Sequence, residues 1–143
     1  MKLKIAVVAM TGLAAFALSN SSLHAQATRT TGEGVYTKAQ ADEGRAKYAQ
    51  LCASCHGAAL AGGDSAPPLA GADFMANWNG QTVQDLFDKI HKTMPMGKEG
   101  TLDRDTTAAI TTFILSSNGM PAGSTPLDNK DENLKAIKIE AKK

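Results

Sequence analysis

The chain has 143 residues, with aromatic residues at only 5% and a formal net charge of +1. This near balance of charge excludes a strong electrostatic interaction with nucleic acid, which needs a basic surface. Without the terminal segments described below, fewer than 100 residues are left for a compact domain. A domain of that size with few aromatic residues buries a modest core, so it would gain stability from a bound prosthetic group.

Residues 1–27 are predicted to be a secretory signal peptide. Lys2 and Lys4 precede a 14-residue apolar run, residues 5–18, and an A-x-A cleavage pattern ends at Ala27. The run is shorter than the roughly 20 residues that span a bilayer, and no later segment is apolar enough to do so. Cleavage leaves 13 basic and 14 acidic residues, a net charge of −1. We therefore expect a mature protein in a bacterial periplasm, without stable membrane insertion.

The first helix is predicted to begin after a flexible polar leader, residues 28–36. Thr37 can cap this helix, and Gly44, Tyr48 and Cys52 recur every four residues along one face. The segment "GAALAGGDSAPPLAG" that follows is too rich in Gly and Pro for regular structure and is predicted to be a loop.

Two further helices are predicted. Thr82 and Asp85 have capping-box spacing before the second helix, and Pro95 ends it. Its apolar stripe consists of Val83, Leu86, Phe87 and Ile90. Asp103 caps the third helix and Gly119 is its expected stop. The inner face of the third helix comprises Ala109, Ile110, Phe113 and Ile114.

The remaining segment, residues 123–143, is polar and charged, and we expect a loose or marginally helical tail. The sequence contains neither internal repeats nor the alternating pattern of strands. The predicted fold class is therefore all-α.

The chain's two cysteines lie in one motif, "CASCH", Cys52 to His56. A redox dithiol of the thioredoxin type would start a helix inside a βαβ pattern, whereas this motif ends a helix in a chain without predicted strands. A zinc site needs four ligands, and the other histidines are His24, in the signal peptide, and His91. A structural disulfide would leave His56 unexplained. The C-x-x-C-H spacing is that of haem c attachment: both thiols form thioethers with the haem, and the adjacent imidazole binds the iron.

With this motif, residues 36–122 resemble a class I c-type cytochrome. The first helix of that family carries a glycine, an aromatic residue and the first haem cysteine at four-residue intervals, which Gly44, Tyr48 and Cys52 match. In the family's last helix an aliphatic and an aromatic residue pack against that glycine, and Ile110 and Phe113 take these places. The stretches "GVYTKAQADEGRAKY", "GGDSAPPLAG", "NWNGQT" and "NGMPAG" further resemble the cytochrome modules that accompany quinoprotein alcohol dehydrogenases.

The resemblance implies a small fold of three main helices, in which the N- and C-terminal helices cross around one covalently bound haem. The cytochrome domain is expected over residues 37–122. The family's sixth iron ligand is a methionine in a loop, often followed by proline, so Met94 in "TMP" is favoured over Met96 in "PMG". A thioether ligand raises the reduction potential relative to two histidines. His91, expected on or near the exposed face of the second helix, is the rival ligand and would give a lower potential.

Three more haem contacts are implied by the resemblance. The carbonyl of Pro67 would accept a hydrogen bond from the proximal His56, which orients the imidazole and strengthens it as a donor. Leu69 would pack on the haem, and Trp78 would donate its indole N–H to a haem propionate. Pro67 could instead only stiffen its loop, and Trp78 could be a half-buried core aromatic residue.

The predicted function is one-electron transfer by an iron that cycles between Fe(II) and Fe(III), without enzyme activity. A quinoprotein dehydrogenase is the expected donor, and a terminal oxidase or another cytochrome the expected acceptor. The alternative, with an open sixth position, is a haem-based ligand sensor or a weak peroxidase. A permanent subunit of a dehydrogenase complex, with the tail as its docking segment, stays open as well.

Overall fold

The computed structural model describes residues 29–140, which form six helices and a two-stranded ribbon. The helices are α1 Lys38–Leu51, α2 Ala53–His56, α3 Ala72–Trp78, α4 Val83–Thr93, α5 Arg104–Ser117 and α6 Asp131–Lys135. The strands are β1 Arg29–Thr30 and β2 Ile137–Lys138, with a 3₁₀ turn at Thr31–Glu33. The predicted all-α class is confirmed. Within these residues no helix is long and apolar enough to cross a membrane, and the predicted signal peptide lies outside them.

The fold is organised by the crossing of α1 and α5, the pair of helices with the most extensive contact. At the crossing point Gly44 lies against the backbone of α5, where a Cβ atom on residue 44 would lie 1.8 Å from the carbonyl oxygen of Ala109 and 3.0 Å from Cβ of Phe113. The contact of Phe113 with the glycine is as expected, and the other nearest atoms are those of the backbone carbonyl of Ala109. Ile110, the next residue along α5, is buried in the core.

The predicted helix termini are confirmed by their local hydrogen bonds. The side chain of Thr37 accepts from the amide of Gln40, and Thr82 and Asp85 form a reciprocal capping box. Asp103 accepts from the amide of Thr106 at the start of α5. At the other end of α5, Gly119 adopts φ 78°, the left-handed conformation that suits a glycine after a helix.

Helix α3 was not predicted from the sequence. It has seven residues, and it begins after Gly71 without a side-chain cap, so the usual start signal is missing. Phe74 anchors it in the core with 1% of its surface exposed, in line with a packing role.

The leader and the tail differ from the expectation of loose segments, because they pack against each other and against the helices. β1 pairs in parallel with β2, with Arg29 opposite Ile137. Thr31, Val35 and Tyr36 are buried. The tail contributes four apolar side chains to the same core: Leu127, Leu134, Ile137 and Ile139. Burial of these side chains offsets the entropy lost when both segments become ordered.

Substitution of Gly44 by alanine tests the helix crossing. The added Cβ would overlap the backbone of α5, so the helices must move apart, and we expect a loss of roughly 1–3 kcal/mol in the free energy of unfolding. Ala46→Ser, on the exposed face of the same helix, is the control and should change stability by less than about 0.5 kcal/mol. Equal stability of Gly44→Ala and the wild type in urea unfolding would contradict the close crossing.

Asp103 makes the stability of α5 depend on pH. The amide of Thr106 donates to its carboxylate at 2.7 Å and lowers the pKa of Asp103 below the usual 3.8. A lowered pKa in the folded state contributes stability that is present above about pH 4 and lost as the pH falls further. Asp103→Ala should therefore cost about 1 kcal/mol at neutral pH, and the difference from wild type should shrink below pH 4. Asp103→Asn, which keeps the cap without the titrating group, should stay close to wild type at neutral pH in the same urea titrations.

Candidate functional site

The CASCH motif forms a separate turn of helix at the end of α1. The dihedral angles of Cys52 (φ −127°, ψ −32°) end α1, and the four residues of α2 follow at once. The amides of Cys55 and His56 both donate to the carbonyl of Cys52, at 3.2 and 3.0 Å. Gly57, with φ 77°, ends the turn. The two cysteines and the histidine are therefore presented within a single turn.

The two thiols differ in their surroundings. Cys52 is half-buried and Cys55 is exposed, and both are free. Burial, with a smaller contribution from Cys55, raises the pKa of the Cys52 thiol to about 11. A redox dithiol requires the opposite shift, to a reactive thiolate near neutral pH. The environment of Cys52 therefore disfavours the thioredoxin-type alternative.

His56 is buried, with 8% of its surface exposed. Its Nδ1 lies 2.9 Å from the carbonyl oxygen of Pro67. Since a carbonyl oxygen only accepts hydrogen bonds, the proton of the neutral imidazole must be on Nδ1, which leaves the lone pair of Nε2 for a metal. Within residues 29–140, Nε2 has no hydrogen-bond partner. This is the arrangement of a metal-binding imidazole oriented by a backbone carbonyl.

The loop that carries Pro67 is held by backbone hydrogen bonds and by one side chain from α5. The amide of Gly62 donates to the carbonyl of His56 at 2.9 Å, and the amide of Leu69 donates to that of Leu60 at 2.8 Å. Asn118 donates to the carbonyl of Leu69 and accepts from the amide of Gly71. Sequence reasoning missed this role of Asn118, because its partners lie far away in the chain.

Tyr48 connects the helix crossing to the CASCH turn. Its ring packs on Phe113 at 5.2 Å between centroids, and its hydroxyl donates to the carbonyl of Gly57 at 2.7 Å. Burial, with a smaller contribution from Cys52, raises the pKa of Tyr48 to about 12, so the hydroxyl stays protonated and able to donate. The sequence pattern predicted the packing of Tyr48 but not this hydrogen bond.

The two methionines proposed as sixth ligands differ in exposure. Met94 caps the C-terminus of α4 and is half-buried, whereas Met96 has 75% of its surface exposed. His91 differs from the expectation of an exposed position. It is half-buried against α5, with Nδ1 3.3 Å from the hydroxyl of Thr107 and its ring 5.6 Å from that of Phe87.

A set of partly covered apolar side chains includes two residues of the turn itself, Cys52 and Ala53, and Leu69 of the loop that carries Pro67. These residues pack on the core with one side while another side stays accessible: Cys52, Ala53, Leu69, Ala70, Met75 and Trp78. Trp78 stacks on Phe74 with ring centroids 6.2 Å apart, and its indole N–H has no acceptor within residues 29–140. The buried imidazole and this apolar surface fit a flat, largely apolar macrocycle. No group of three or more His, Cys, Asp and Glu side chains within the described part of the chain could hold a metal ion, so zinc gains no support.

Comparison with known proteins adds two findings. Residues 39–114 match the model of the family described as "Cytochrome C oxidase, cbb3-type, subunit III". The crystal structure of the sulfane dehydrogenase SoxCD from Paracoccus pantotrophus matches with a TM-score of 0.54 and 30% identity, over 90% of this chain and 68% of that chain. No curated protein matches the chain.

Tyr48→Phe tests how far the CASCH turn depends on the hydroxyl of Tyr48. Loss of the hydrogen bond to Gly57 should lower the free energy of unfolding by about 1 kcal/mol and speed amide hydrogen exchange at Cys55, His56 and Gly57. Tyr36→Phe is the matched control, because Tyr36 also donates its hydroxyl to a carbonyl, that of Met120, at 2.5 Å. A similar stability loss without faster exchange in the turn is expected for Tyr36→Phe. The same exchange pattern in both variants would contradict a specific role for Tyr48.

Proposed function

The chain belongs to the family of cbb3-type cytochrome c oxidase subunit III and is a class I c-type cytochrome. We therefore propose that it carries single electrons in the periplasm through one haem c. The observation that carries this proposal is the buried His56, with Nδ1 fixed by the carbonyl of Pro67 and Nε2 open to a metal. Haem c supplies, when bound, an iron that exchanges one electron between its ferrous and ferric states.

We assign the covalent attachment to Cys52 and Cys55, one thioether each, and the proximal ligand to His56. The turn supports this assignment, because it presents both sulfurs and the imidazole together, and two of its own residues, Cys52 and Ala53, are among the partly buried apolar side chains. The bond to Pro67 keeps the imidazole in one orientation and in the tautomer that binds iron.

We assign the sixth position to Met94. A sulfur ligand must reach the iron from within the fold, which favours the half-buried Met94 over the exposed Met96. His91 is less suited, because its imidazole lies against Thr107 and Phe87 on the side of α5. With both axial positions filled by the chain, no substrate binds the iron, and the protein acts as a carrier rather than an enzyme.

Leu69 and Trp78 complete the proposed haem contacts. Leu69 is partly buried against the core, and its carbonyl is held by Asn118, so its side chain can exclude water from the iron. Trp78 is also partly buried, and its N–H is available to donate to a propionate.

The proposed partners are redox proteins of the periplasm. The stretches that resemble modules of quinoprotein alcohol dehydrogenases favour such an enzyme as the electron donor, and a terminal oxidase or another cytochrome would be the acceptor. The matched solved structure, SoxCD, is also a dehydrogenase, one that acts on sulfane. Transient docking through a small interface would suit rapid exchange of electrons.

Absorption spectra of the exported, purified protein test the proposal. We expect haem c bands after reduction by ascorbate or by a quinoprotein dehydrogenase with its alcohol, and a weak red sulfur-to-iron band in the ferric form. Binding of carbon monoxide by the untreated ferrous protein would instead point to an open-site sensor or peroxidase. Exported protein that carries no haem would overturn the proposal.

Replacement of each methionine identifies the sixth ligand. Met94→Ala should abolish the red band and lower the reduction potential by on the order of 0.1–0.3 V, within the roughly 0.8 V range that axial ligands set. Met96→Ala is the matched control and should leave both unchanged, since Met96 is exposed. Loss of the red band in Met96→Ala alone would reverse the assignment.

A further inference from the structure

We propose that residues 123–140, here called the C-terminal strap, are a positioning device that holds α4 in place and thereby keeps Met94 on the haem iron. The inference rests on the proposed function, because it takes Met94 as the sixth ligand. It assigns a role in ligation to a segment outside residues 39–114, the part that the family model matches.

The strap grips the start of α4 through two backbone hydrogen bonds. The amide of Gly80 donates to the carbonyl of Ile139, and the amide of Ile139 donates to the carbonyl of Gln81, both at 2.8 Å. A bridge between Thr82 and Lys138 continues this pairing into the cap of α4. Ile139 itself is fully buried. The N-terminus of α4 is thus paired with the strap as in a short sheet.

The strap also covers the side of α4. Helix α6, which lies within the strap, packs on α4, and Leu134 is its buried side chain. Phe87 of α4 is fully buried, and the guanidinium of Arg104 lies over its ring at 4.7 Å. Arg104 also donates from Nε to the carbonyl of Asn129, at 3.0 Å, and from Nη2 to the carboxylate of Asp131, at 2.5 Å. One side chain of α5 therefore joins the strap to the aromatic residue at the centre of α4.

The position of Met94 depends on this support. Met94 is the C-terminal cap of α4, bonded through its amide to the carbonyl of Ile90 at 3.0 Å, and the residues 96–101 after it are exposed. An eleven-residue helix has little stability of its own, so α4 keeps its place by packing. A loosened strap would therefore let α4 shift or open locally, and the sulfur of Met94 would leave the iron more often.

The test compares two leucine truncations within the strap of the full-length ferric holoprotein. Leu134→Ala removes the anchor on α4. Leu127→Ala removes another buried leucine, 5% exposed against 0% for Leu134, whose backbone is held by Gln40 of α1. The rate of imidazole binding reports how often the methionine leaves the iron, and the red band reports how much of it is bound. We expect Leu134→Ala to bind imidazole at least tenfold faster than wild type, and Leu127→Ala to bind it within twofold of the wild-type rate. The two variants should unfold at similar urea concentrations, so that the difference in rate does not come from a difference in overall stability.

Equal acceleration of imidazole binding in both variants, or acceleration in neither, would overturn the inference. In that case a red band in the wild-type spectrum would still support the proposed function. If the wild type lacked the red band, or Met94→Ala bound imidazole no faster, the proposed ligation would fail and the inference with it. The milder pair Leu134→Val and Leu127→Val makes the same comparison if an alanine variant does not fold.

Discussion

The contact that the rest of the structure depends on is the crossing of α1 and α5 at Gly44. Without a Cβ at this position, the backbone of α5 approaches α1 closely enough for Phe113 to reach the ring of Tyr48. Tyr48 in turn holds the carbonyl of Gly57, directly after the proposed iron ligand His56. The glycine therefore affects the site at a distance, because it fixes the angle from which α1 delivers the CASCH turn.

The end of α5 supports the other side of the same site. Asn118, the cap of α5, bonds to the loop at Leu69 and Gly71, and this loop supplies the carbonyl of Pro67 to His56. The imidazole is thus placed by α1 and oriented by a loop that α5 holds. Because the two helices are locked together at Gly44, a change in one should be transmitted to both supports of the imidazole. A proximal ligand held in this way needs little rearrangement when the iron changes its charge.

Features that depend on neighbouring residues were predictable from the sequence. The caps at Thr37, Thr82 and Asp103 and the stop at Gly119 each involve partners within five positions. The CASCH turn is equally local, so its residues were found together, whereas their role in binding haem stays a prediction. The resemblance also led to Pro67, and the structure places its carbonyl beside His56.

Features that depend on distant partners were not predictable. The buried side chains Leu127, Leu134, Ile137 and Ile139 stand among charged residues without helical or strand periodicity, so the pattern indicated a loose tail. Their burial depends on apolar surface of α4 and of the leader that the helix crossing leaves uncovered. The pairing of β1 with β2 likewise joins the two ends of the described chain.

The two proposed iron ligands, His56 and Met94, are held in different ways, and this difference bears on electron transfer. His56 lies among short backbone hydrogen bonds, whereas Met94 lies at the C-terminal end of α4, whose hydrogen bonds to the strap are all at its opposite end. A carrier must keep the thioether bound in both oxidation states, although sulfur binds ferric iron less strongly than ferrous iron. In the proposed ligand set Met94 is therefore the weaker ligand, and additional packing on α4 has its greatest value there. The C-terminal strap supplies this packing, because it pairs with the start of α4 and helix α6 packs against the side of α4.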